Sequence, residues 1–432
     1  MLAMQWQFEQ SQWWTREVLE ERQLLQLRAM LGHVLAHVPH YRDVCRDAGL
    51  AGPAGFDPHD IGRWPTLKKR EVTGNEARLR ASSTPQEHGR ILTGATTGST
   101  GEPVRLAYTE AAQFFIHALI LRSHLWHGLD FSAKYAAINS HLENGTQDVW
   151  SPVAGSAFRT GPASTLNIGT DVDRQLDWLI QERPSYLQTR PTNLRALLLR
   201  SRENGKVPPG LRAVVLQSES MPPDLREMTQ DTWNAHVIDT YTCAEFGTLA
   251  LQCPQHLHYH VQSESVYLEV LREDGTHCAP GETGRVVDTT LHNFAMPLIR
   301  YDLGDYAEVG EPCPCGRGLP VLKRILGRVR NMAIDPNGRR FWPSFHAPLW
   351  LEVAPLRRIQ LVQHTTAAIE ILYVMDRDLD SGEQRRLRAN LQGALGYPFE
   401  LTFTRVESIA RQAGEKFEDF ISRLPPDDVR RR

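Results

Sequence analysis

The sequence predicts an α/β protein with two domains: a large N-terminal domain of several sheets, residues 1–327, and a small α+β domain, residues 328–432. The length of 432 residues is enough for two or three domains. Helical patterns alternate with compact apolar runs before Tyr241, and strand patterns dominate after it. The segment Gly327–Arg330 separates this part from a final stretch in which both kinds of element recur.

Individual elements follow from the spacing of apolar residues. Apolar residues at helical spacing predict helices over residues 15–38, 110–126, 173–181, 193–203 and 382–395. Alternating or continuous apolar runs predict strands over residues 104–108, 184–189, 214–216, 236–239, 265–271, 284–290, 357–362, 368–374 and 401–406. Short buried strands that alternate with helices favour a largely parallel sheet in the first half of the chain.

Composition and charge exclude several classes of protein. The 41% hydrophobic and 23% charged residues are ordinary for a soluble globular protein. A net charge of −3 gives no support for a nucleic-acid partner. We expect no membrane association and a cytoplasmic location, because no apolar run is long enough to span a bilayer and the N-terminus does not resemble a signal peptide. Six cysteines are too few for a disulfide scaffold in a chain of this size.

A loop rich in glycine and hydroxyl groups is the first candidate functional element. Between Thr93 and Gly101 lie three glycines and five threonine or serine residues, and Glu102-Pro103 follows. Glycine allows close approach of the backbone, and successive N–H groups with hydroxyls suit phosphate oxygens. The loop is not a Walker loop, because no Gly-Lys-Ser/Thr follows. The candidate phosphate ligands are Thr96, Thr97, Gly98, Ser99, Thr100 and Gly101.

Two further motifs follow buried strand patterns. Tyr241-Thr242-Cys243-Ala244-Glu245 comes directly after the run 236–239, where a carboxylate is well placed to hold Mg²⁺ against phosphates. Tyr301-Asp302-Leu303-Gly304-Asp305 places an acid after a glycine turn, where it can accept hydrogen bonds from ribose hydroxyls. Each motif alone is also typical of an ordinary core tyrosine or β-turn.

In their order along the chain, these motifs resemble those of the acyl-adenylate-forming superfamily. Residues 96–103 resemble its phosphate loop, 241–245 its Tyr-x-x-Ser/Thr-Glu motif, 301–305 its Tyr/Arg-x-Thr-Gly-Asp motif, and Gly327-Arg328 the hinge motif that follows. The segments Val38–Arg42, Pro297–Asp305 and Cys313–Arg317 resemble the phenylacetate–CoA ligase/CapK branch in particular. The resemblance extends from about residue 20 to residue 421.

The resemblance implies an adenylating N-terminal domain, a small mobile C-terminal domain and a set of ligands. ATP and a small carboxylic acid would give an acyl-adenylate, and a thiol, from CoA or phosphopantetheine, would then take the acyl group. Tyr241 would contact the adenine and Asp305 the ribose; Glu245 would bind Mg²⁺. Thr242, Ser218 and Glu219 also belong to the predicted nucleotide site, and Arg328 to the catalytic set.

The sequence departs from the family pattern at two positions. The family's C-terminal lysine lies in a Ser-Gly-Lys-like turn, and the best match here is Ala413-Gly414-Glu415-Lys416-Phe417, with one residue inserted. We therefore assign the catalytic lysine to Lys416. Ala244 stands where the family has a hydroxyl that donates to phosphate, and Thr242 or Cys243 could compensate. The resemblance implies an acid pocket between the helix after Phe114 and the segment Tyr135–Asn139, with residues near Ser218–Ser220 and Tyr241, where aromatic residues suit an aryl or medium-chain acid.

Cysteines and histidines suggest a structural zinc site. Cys253 and the pair Cys313/Cys315 could supply thiolates, and one of the nearby histidines could close a tetrahedron without an open position. His260 is the predicted fourth ligand because it begins a strand pattern, and His258 is the alternative. Three unrelated thiols are the competing interpretation.

Three functions stay open at this point. The first is an ATP-dependent acid–thiol ligase that uses CoA. The second is an adenylating enzyme that loads a carrier protein or an amine. The third is a nucleotide-binding regulatory or scaffold protein with impaired catalysis, which Ala244 and the irregular lysine turn would favour. A homodimer is left open.

Overall fold

The computed structural model describes residues 1–50, 57–96, 103–140, 142–328, 331–343, 345, 348–409 and 419–424. Its helices are α1 (Leu2–Ser11), α2 (Arg16–His37), α3 (Pro39–Asp47), α4 (Lys69–Val72), α5 (Glu76–Leu79), α6 (Glu110–Trp126), α7 (Pro152–Ala157), α8 (Val172–Glu182), α9 (Pro191–Asn204), α10 (Leu225–Trp233), α11 (Pro348–Leu351) and α12 (Ser381–Leu395). Short 3-10 helices cover Pro58–Arg63 and Gln86–His88.

The strands fall into four hydrogen-bonded sets within this part of the chain. They are β1 (Leu67–Lys68), β2 (Ile91–Ala95), β3 (Arg105–Thr109), β4 (Tyr135–Asn139), β5 (Gly145–Gln147), β6 (Ala163–Asn167), β7 (Tyr186–Thr189), β8 (Ala213–Leu216), β9 (His236–Cys243), β10 (Gly247–Gln252), β11 (Tyr259–Val261), β12 (Val266–Leu271), β13 (Thr283–Thr290), β14 (Tyr301–Val309), β15 (Val321–Arg328), β16 (Ala333–Ile334), β17 (Arg340–Phe341), β18 (Arg358–Gln363), β19 (Ala368–Val374), β20 (Glu400–Arg405) and β21 (Phe420–Ser422).

The largest set is a sheet of thirteen strands, in which β9 belongs to both the parallel part and the antiparallel part. Its order is β12-β13-β14-β15-β11-β10-β9-β8-β7-β4-β6-β5, and β1 pairs with β14. Strands β6, β4, β7, β8 and β9 are parallel to one another, whereas β9 to β15 pair antiparallel along the path. The carboxyl ends of the parallel strands therefore meet the antiparallel part at the end of β9, where ligands bind in open α/β sheets.

Each face of the parallel part has its own apolar core. Helices α8, α9 and α10 cover one face with Leu179, Leu197 and Trp233, among others. The other face carries an aromatic cluster that includes Tyr135, Trp150 and Tyr186. Since side chains alternate along a strand, successive residues of β4, β7 and β8 contribute to the two cores in turn.

The N-terminal helices pack on the antiparallel part of the sheet. Leu27, Leu31 and Val34 of α2 belong to the largest apolar cluster, which also contains residues of β10 to β14. Tyr41 of α3 is buried; its hydroxyl donates a hydrogen bond to the carbonyl of Pro297 (3.0 Å) and accepts one from the amide of Ile299 (2.9 Å). These bonds join two of the segments that resemble the phenylacetate–CoA ligase branch.

The C-terminal part forms a separate four-stranded sheet. Its order is β20-β19-β18-β21, with β18 and β19 antiparallel and both outer strands added in parallel. Helix α12 packs on it through Leu387, Leu391 and Leu395, and the helix begins with a capping box between Asp380 and Glu383. This α+β unit has its own apolar core.

A buried arginine connects three distant segments of the large sheet. Arg300 directly precedes β14 and has a positive φ of 48°. Its guanidinium forms a two-pronged contact with Glu269 of β12 (2.9 and 3.1 Å) and donates to the carbonyls of Gly62 (2.7 Å) and Trp64 (2.6 Å). A positive φ costs a residue other than glycine on the order of 1–3 kcal/mol, and these contacts hold the backbone of Arg300 in this conformation.

The predicted fold class is confirmed, and the predicted helices and strands are all present with small shifts at their ends. The prediction missed α1 and several strands, among them β4, β10, β14 and β15. Strand β9 extends to Cys243, beyond the predicted end at residue 239, so Tyr241 and Thr242 lie within the strand. Gly327 and Arg328 likewise lie in β15. Among the described helices, none combines the length and apolar character needed to cross a bilayer.

Replacing Arg300 with alanine should lower the free energy of unfolding by about 3–5 kcal/mol, because it leaves the Glu269 carboxylate buried without its cation. Arg16, which forms an exposed ion pair with Glu20, is the matched control, and Arg16→Ala should change the stability by less than about 1 kcal/mol. Urea denaturation measures both. Equal effects of the two substitutions would contradict the structural role of Arg300.

Candidate active site

The first motif lies at the end of a β-hairpin. Strands β2 and β3 pair from Ile91↔Thr109 to Ala95↔Arg105. Thr96 closes this hairpin: its amide donates to the carbonyl of Val104, and its hydroxyl accepts from the amide of Val104, both at 3.0 Å. The predicted phosphate ligands Thr97, Gly98, Ser99, Thr100 and Gly101 lie outside the described residues. Thr96 fixes the base of their loop.

The hairpin contacts the second motif directly. The hydroxyl of Tyr108, on β3, donates a hydrogen bond to the carbonyl of Ala244. Glu245 is half-buried beside it, and its Oε1 accepts from the hydroxyl of Tyr301 at 3.3 Å. Glu245 thus lies between the phosphate-loop hairpin and β14, with Oε1 held by a neutral donor.

Tyr241, Asp305 and Arg328 form the centre of the candidate nucleotide site. The Tyr241 hydroxyl donates to Oδ2 of Asp305 at 2.8 Å, and Nε of Arg328 lies 3.7 Å from Oδ1 of the same carboxylate. Asp305 and Arg328 are direct partners in the ladder between β14 and β15. Burial, followed by the charges of Asp305 and Asp288, raises the pKa of Tyr241 well above its usual value, so its phenol stays a donor. These contacts bring together three of the residues that the sequence predicted.

The loop after β8 adjoins both the parallel strands and the end of β15. Glu219 accepts a hydrogen bond from the amide of Thr192 at 3.1 Å, in the first turn of α9. Ser218 has a positive φ of 75°. Gly327 has a φ of +86°, and a Cβ at this position would lie 2.8 Å from Oγ of Ser220. The backbone conformation and the close approach both explain the glycine in the predicted hinge motif.

Thr242 and Lys416 are the two remaining predicted residues, and Cys243 was named as a possible substitute for the missing hydroxyl at Ala244. Thr242 is half-buried on β9, opposite Thr248 of β10. Burial and the charge of Glu245 raise the pKa of the Cys243 thiol, which therefore stays protonated. Lys416 lies outside the described residues, so the assignment of the catalytic lysine stays a prediction.

Asp288 is a residue of this region that the sequence analysis missed. It lies on β13 opposite Tyr301, is fully buried, and has no hydrogen-bond partner for either carboxyl oxygen among the described residues. Burial raises its pKa well above the usual value, and Glu269, Asp305 and Glu245 raise it further. The feature of the sequence that could have identified Asp288 is that it is the one acidic residue within the predicted strand 284–290.

The four predicted zinc ligands form a compact cluster. One ligand atom from each of Cys253, His260, Cys313 and Cys315 lies within 4.8 Å of all the others. The Cys253 and Cys313 sulfurs are 3.8 Å apart, and Cys315 Sγ is 3.5 Å from Nε2 of His260. Zinc–sulfur bonds of about 2.3 Å place two corners of a tetrahedron about 3.8 Å apart, so the donor set fits Zn²⁺. Burial lowers the pKa of His260 to about 3, which keeps the imidazole in its ligating, neutral form.

His258, the alternative ligand, is not one of these four residues. Its backbone carbonyl instead accepts a hydrogen bond from the amide of Cys253 at 2.8 Å, which closes the turn between them. The side chain of Arg317 lies over the rings of Trp13 and Trp126 and connects the cluster to the N-terminal helices. The geometry therefore favours His260 over His258.

Known proteins to which this chain is similar are named as CoA ligases or synthetases. The chain is 26% identical over 333 residues to a phenylacetate–coenzyme A ligase of Thermus thermophilus, covering 74% of this chain and 72% of that protein. It is 24% identical over 336 residues to the Escherichia coli phenylacetate–coenzyme A ligase, covering 76% and 74%. No protein-family model matches the chain.

Among solved structures, a 2-hydroxyisobutyryl-CoA ligase in its postadenylation state superposes with a TM-score of 0.75 at 18% identity, covering 93% of this chain and 88% of that one. The same ligase in its thioester-forming state gives 0.62 at 19% identity, covering 93% and 89%. An anthranilate CoA ligase in complex with anthranoyl-AMP gives 0.57 at 15% identity, covering 75% and 64%.

The predicted resemblance to the acyl-adenylate-forming superfamily is therefore confirmed: the relatives and the structural neighbours are alike named as CoA ligases. Within that class, the sequence similarity is to the phenylacetate–CoA ligase branch.

Substituting Asp288 with valine should raise the free energy of unfolding at pH 7 by about 1–4 kcal/mol, because an orphaned buried carboxyl is removed from an apolar strand. The pKa of Asp288 is raised in the folded state, so the folded protein keeps a proton that the unfolded chain has lost. Wild-type stability therefore falls as pH rises above the unfolded value of 3.8, and the advantage of the variant should grow over the same range. Urea denaturation from pH 4 to 8 measures this, and a gain that is independent of pH would contradict it.

Proposed function

We propose that this protein activates a carboxylic acid with ATP and transfers the acyl group to the thiol of CoA. In the first step, a carboxylate oxygen bonds to the α-phosphorus of ATP and the bond to pyrophosphate breaks. In the second step, the thiol sulfur, having lost its proton, bonds to the acyl carbon and AMP leaves. The reaction needs positioning and charge neutralisation more than covalent help from the protein.

One observation carries the proposal: direct contacts join motifs that are far apart in the sequence. The contacts are Tyr108 with Ala244, Tyr301 with Glu245, Tyr241 with Asp305, and Asp305 with Arg328. All four contacts lie near the carboxyl end of β9, which side chains of β3, β14 and β15 reach. A set of unrelated turns would not converge in this way.

Tyr241, Asp305 and Arg328 would hold the nucleoside. A carboxylate accepts hydrogen bonds from ribose hydroxyls, and Asp305 is oriented for this by the Tyr241 hydroxyl on one oxygen and by Arg328 near the other. The ring of Tyr241 offers an aromatic surface for the base. Ser218 and Glu219 would border the nucleotide from the loop after β8.

Glu245 fits a magnesium ligand. Mg²⁺ is usually held by one or two carboxylates together with substrate phosphates and water. The Tyr301 hydroxyl fixes Oε1 of Glu245 in orientation without competing for the charge. When bound, the ion would neutralise charge on the phosphates. The loop closed by Thr96 would supply N–H groups and hydroxyls to the same phosphates.

Lys416 would contact the reacting carboxylate. Support comes from Asp419, the first described residue after Lys416 in the chain. Burial raises the pKa of Asp419 to about 6, and the charge of Glu219 contributes to this rise. Asp419 thus lies near the loop that would border the nucleotide.

The boundary between the two domains would lie at Gly327-Arg328. The four-stranded sheet beyond it has a separate core, and the positive φ of Gly327 allows a backbone turn at this point. The Cys253–His260–Cys313–Cys315 cluster would hold a structural Zn²⁺, since four protein ligands leave no open position. A carrier-protein acceptor, a homodimer and a cytoplasmic location remain predictions.

The function is tested by acid-dependent ATP–pyrophosphate exchange over a panel of carboxylic acids, followed by product analysis with and without CoA. Glu245→Gln should reduce exchange at least about 100-fold and raise the Mg²⁺ requirement, since a charged ligand is lost. Lys416→Ala should reduce it by a similar factor. Glu311→Gln and Lys206→Ala, at exposed positions away from the site, are the matched controls and should leave exchange unchanged.

The outcomes separate the three functions. Exchange with CoA-dependent release of AMP and a thioester supports the ligase. Exchange without CoA turnover, but with acylation of a carrier protein or an amine, selects the second function. ATP binding without exchange for any acid selects the impaired regulatory protein, and full activity of Lys416→Ala removes Lys416 from the mechanism.

Purified protein should contain about one zinc per chain, measured by inductively coupled plasma mass spectrometry. Cys253→Ser and Cys313→Ser should lose the metal and lower the melting temperature, because each removes a thiolate ligand. Cys278→Ser, outside the cluster, is the matched control and should retain it. Less than roughly half a zinc per chain, with unchanged folding after chelation, would exclude the site.

A further inference from the structure

Arg190 lies at the carboxyl end of β7, just before α9 begins. Its backbone is still extended, with φ −95° and ψ 151°. The residue is only 5% exposed. Among the described residues its side chain has one hydrogen bond, from Nη2 to Oγ of Ser140 at 2.6 Å, and its Nε is buried without a described partner. A guanidinium has five N–H donors, so most of its capacity is unused.

Arg190 lacks the carboxylate that accompanies the other buried arginines. Among the described residues, three arginines are at most 5% exposed: Arg122 (2%), Arg190 (5%) and Arg300 (4%). Arg122 pairs with Glu264 at 3.1 Å, and Arg300 with Glu269 at 2.9 Å. No carboxylate of the described chain lies within 4 Å of Arg190. Buried charges in proteins are paired, so this cation indicates an anion that the described part of the chain does not provide.

The described neighbours of Arg190 on the adjacent strands include polar, uncharged side chains. Ser140 follows β4, on one side of β7. On the other side, the side-chain amide of Gln188 donates to Oε1 of Gln217, which follows β8, at 2.9 Å. Tyr186, Gln188 and Arg190 follow one another at two-residue spacing and therefore share one face of the sheet. The aromatic cluster of that face lies below this polar end.

The aromatic side chains on this face of the sheet belong to the core, so they do not decide between an aryl acid and another acid. Tyr135 and Tyr186 are buried and pack against Trp150, with ring centroids 4.9 and 5.6 Å from it. They form a core, and the groups at the strand ends above them are polar. The residues that could meet a substrate at this edge are thus hydrogen-bonding groups and a cation.

The position of Arg190 suits the remote end of an acid better than the nucleotide. In the sheet, β7 is separated from β9, which carries Tyr241, by β8 alone. Neighbouring strands lie about 4.8 Å apart, so the two strands are about 10 Å from each other. Glu219, in the loop after β8, accepts a hydrogen bond from the amide of Thr192, two residues after Arg190.

We propose that Arg190 binds a second anionic group of the substrate, so that the acid activated by this protein is a dicarboxylic acid. The proposal rests on the proposed function for the reacting carboxylate. Arg190 would pair with the far carboxylate in a charge-assisted contact, and Ser140 and the Gln188–Gln217 pair would border it. The pairing would select diacids and reject acids of the same length that end in a methyl group.

Matched pairs of acids test the selection: adipate against hexanoate, and glutarate against pentanoate. Wild-type protein should show a higher kcat/KM in ATP–pyrophosphate exchange for the diacid of each pair. Arg190→Met should lower the ratio of diacid to monoacid by about 30-fold or more, as expected for loss of a buried charge partner. Arg190→Lys should retain part of the preference. Arg202→Met, at an exposed position on α9, is the matched control and should leave the ratio unchanged.

Two results would overturn the proposal while leaving the ligase function intact. An equal loss on diacids and monoacids with unchanged KM for ATP would assign Arg190 to the reacting carboxylate. A raised KM for ATP with every acid would assign it to a phosphate. A wild-type preference for monoacids would contradict the proposal directly.

A binding measurement separates this proposal from the proposed function. Adipate should raise the melting temperature of wild-type protein more than hexanoate does, and this difference should disappear in Arg190→Met. If exchange is absent for all acids but the difference in melting temperature is present, the ligase function fails and the anion site stands. If exchange occurs and neither assay distinguishes the paired acids, the anion site fails alone.

Discussion

The buried pair of Arg300 and Glu269 is the interaction on which the candidate site depends. Arg300 holds β12 through the carboxylate and the segment before β1 through two backbone carbonyls. Its own carbonyl accepts a hydrogen bond from Leu67 at 2.9 Å. Because Arg300 directly precedes β14, the same contacts set the start of the strand that carries Tyr301 and Asp305. The positive φ can persist only where the surroundings determine it this strongly.

The site itself is built from the ends of strands rather than from one loop. Strand β9 supplies Tyr241, β14 supplies Asp305, and β15 supplies Arg328, and the β2–β3 hairpin reaches the same place through Tyr108. Rigid strands fix these side chains more precisely than mobile loops could. Electrostatic stabilisation of a phosphoryl reaction requires such fixed positions, since the groups must be oriented before the charge develops.

Much of the fold and part of the site could be predicted from the sequence. Strong periodic patterns identified α6, α9 and α12, because a helix with one apolar face repeats every three to four residues. The ordered motifs identified Tyr241, Glu245 and Asp305 as neighbours.

The ion pairs and orphan groups could not be predicted, because they depend on tertiary contacts between distant segments. In the sequence, Arg190 and Asp288 are ordinary charged residues, at a strand end and within a strand. Only the folded structure shows that, among the described residues, Arg190 is buried without a carboxylate partner and Asp288 is buried without a hydrogen bond. Helix α1 could not be predicted either, because its apolar residues do not follow a simple helical period: Trp6 is exposed and Phe8 is buried.

Strand β15 has a further consequence for how the protein holds together. Its first residue, Val321, packs beside Cys253 and Cys313 and pairs with His260, whereas its last residue, Arg328, pairs with Asp305. The cysteine–histidine cluster and the residues of the candidate nucleotide site therefore lie at opposite ends of one strand, β15. Local opening at either end would weaken the other, so the two regions form one cooperative unit. The cysteine–histidine cluster lies at the far end of the eight-residue strand β15 from Arg328. It thereby contributes to the precision of the candidate site without being part of it.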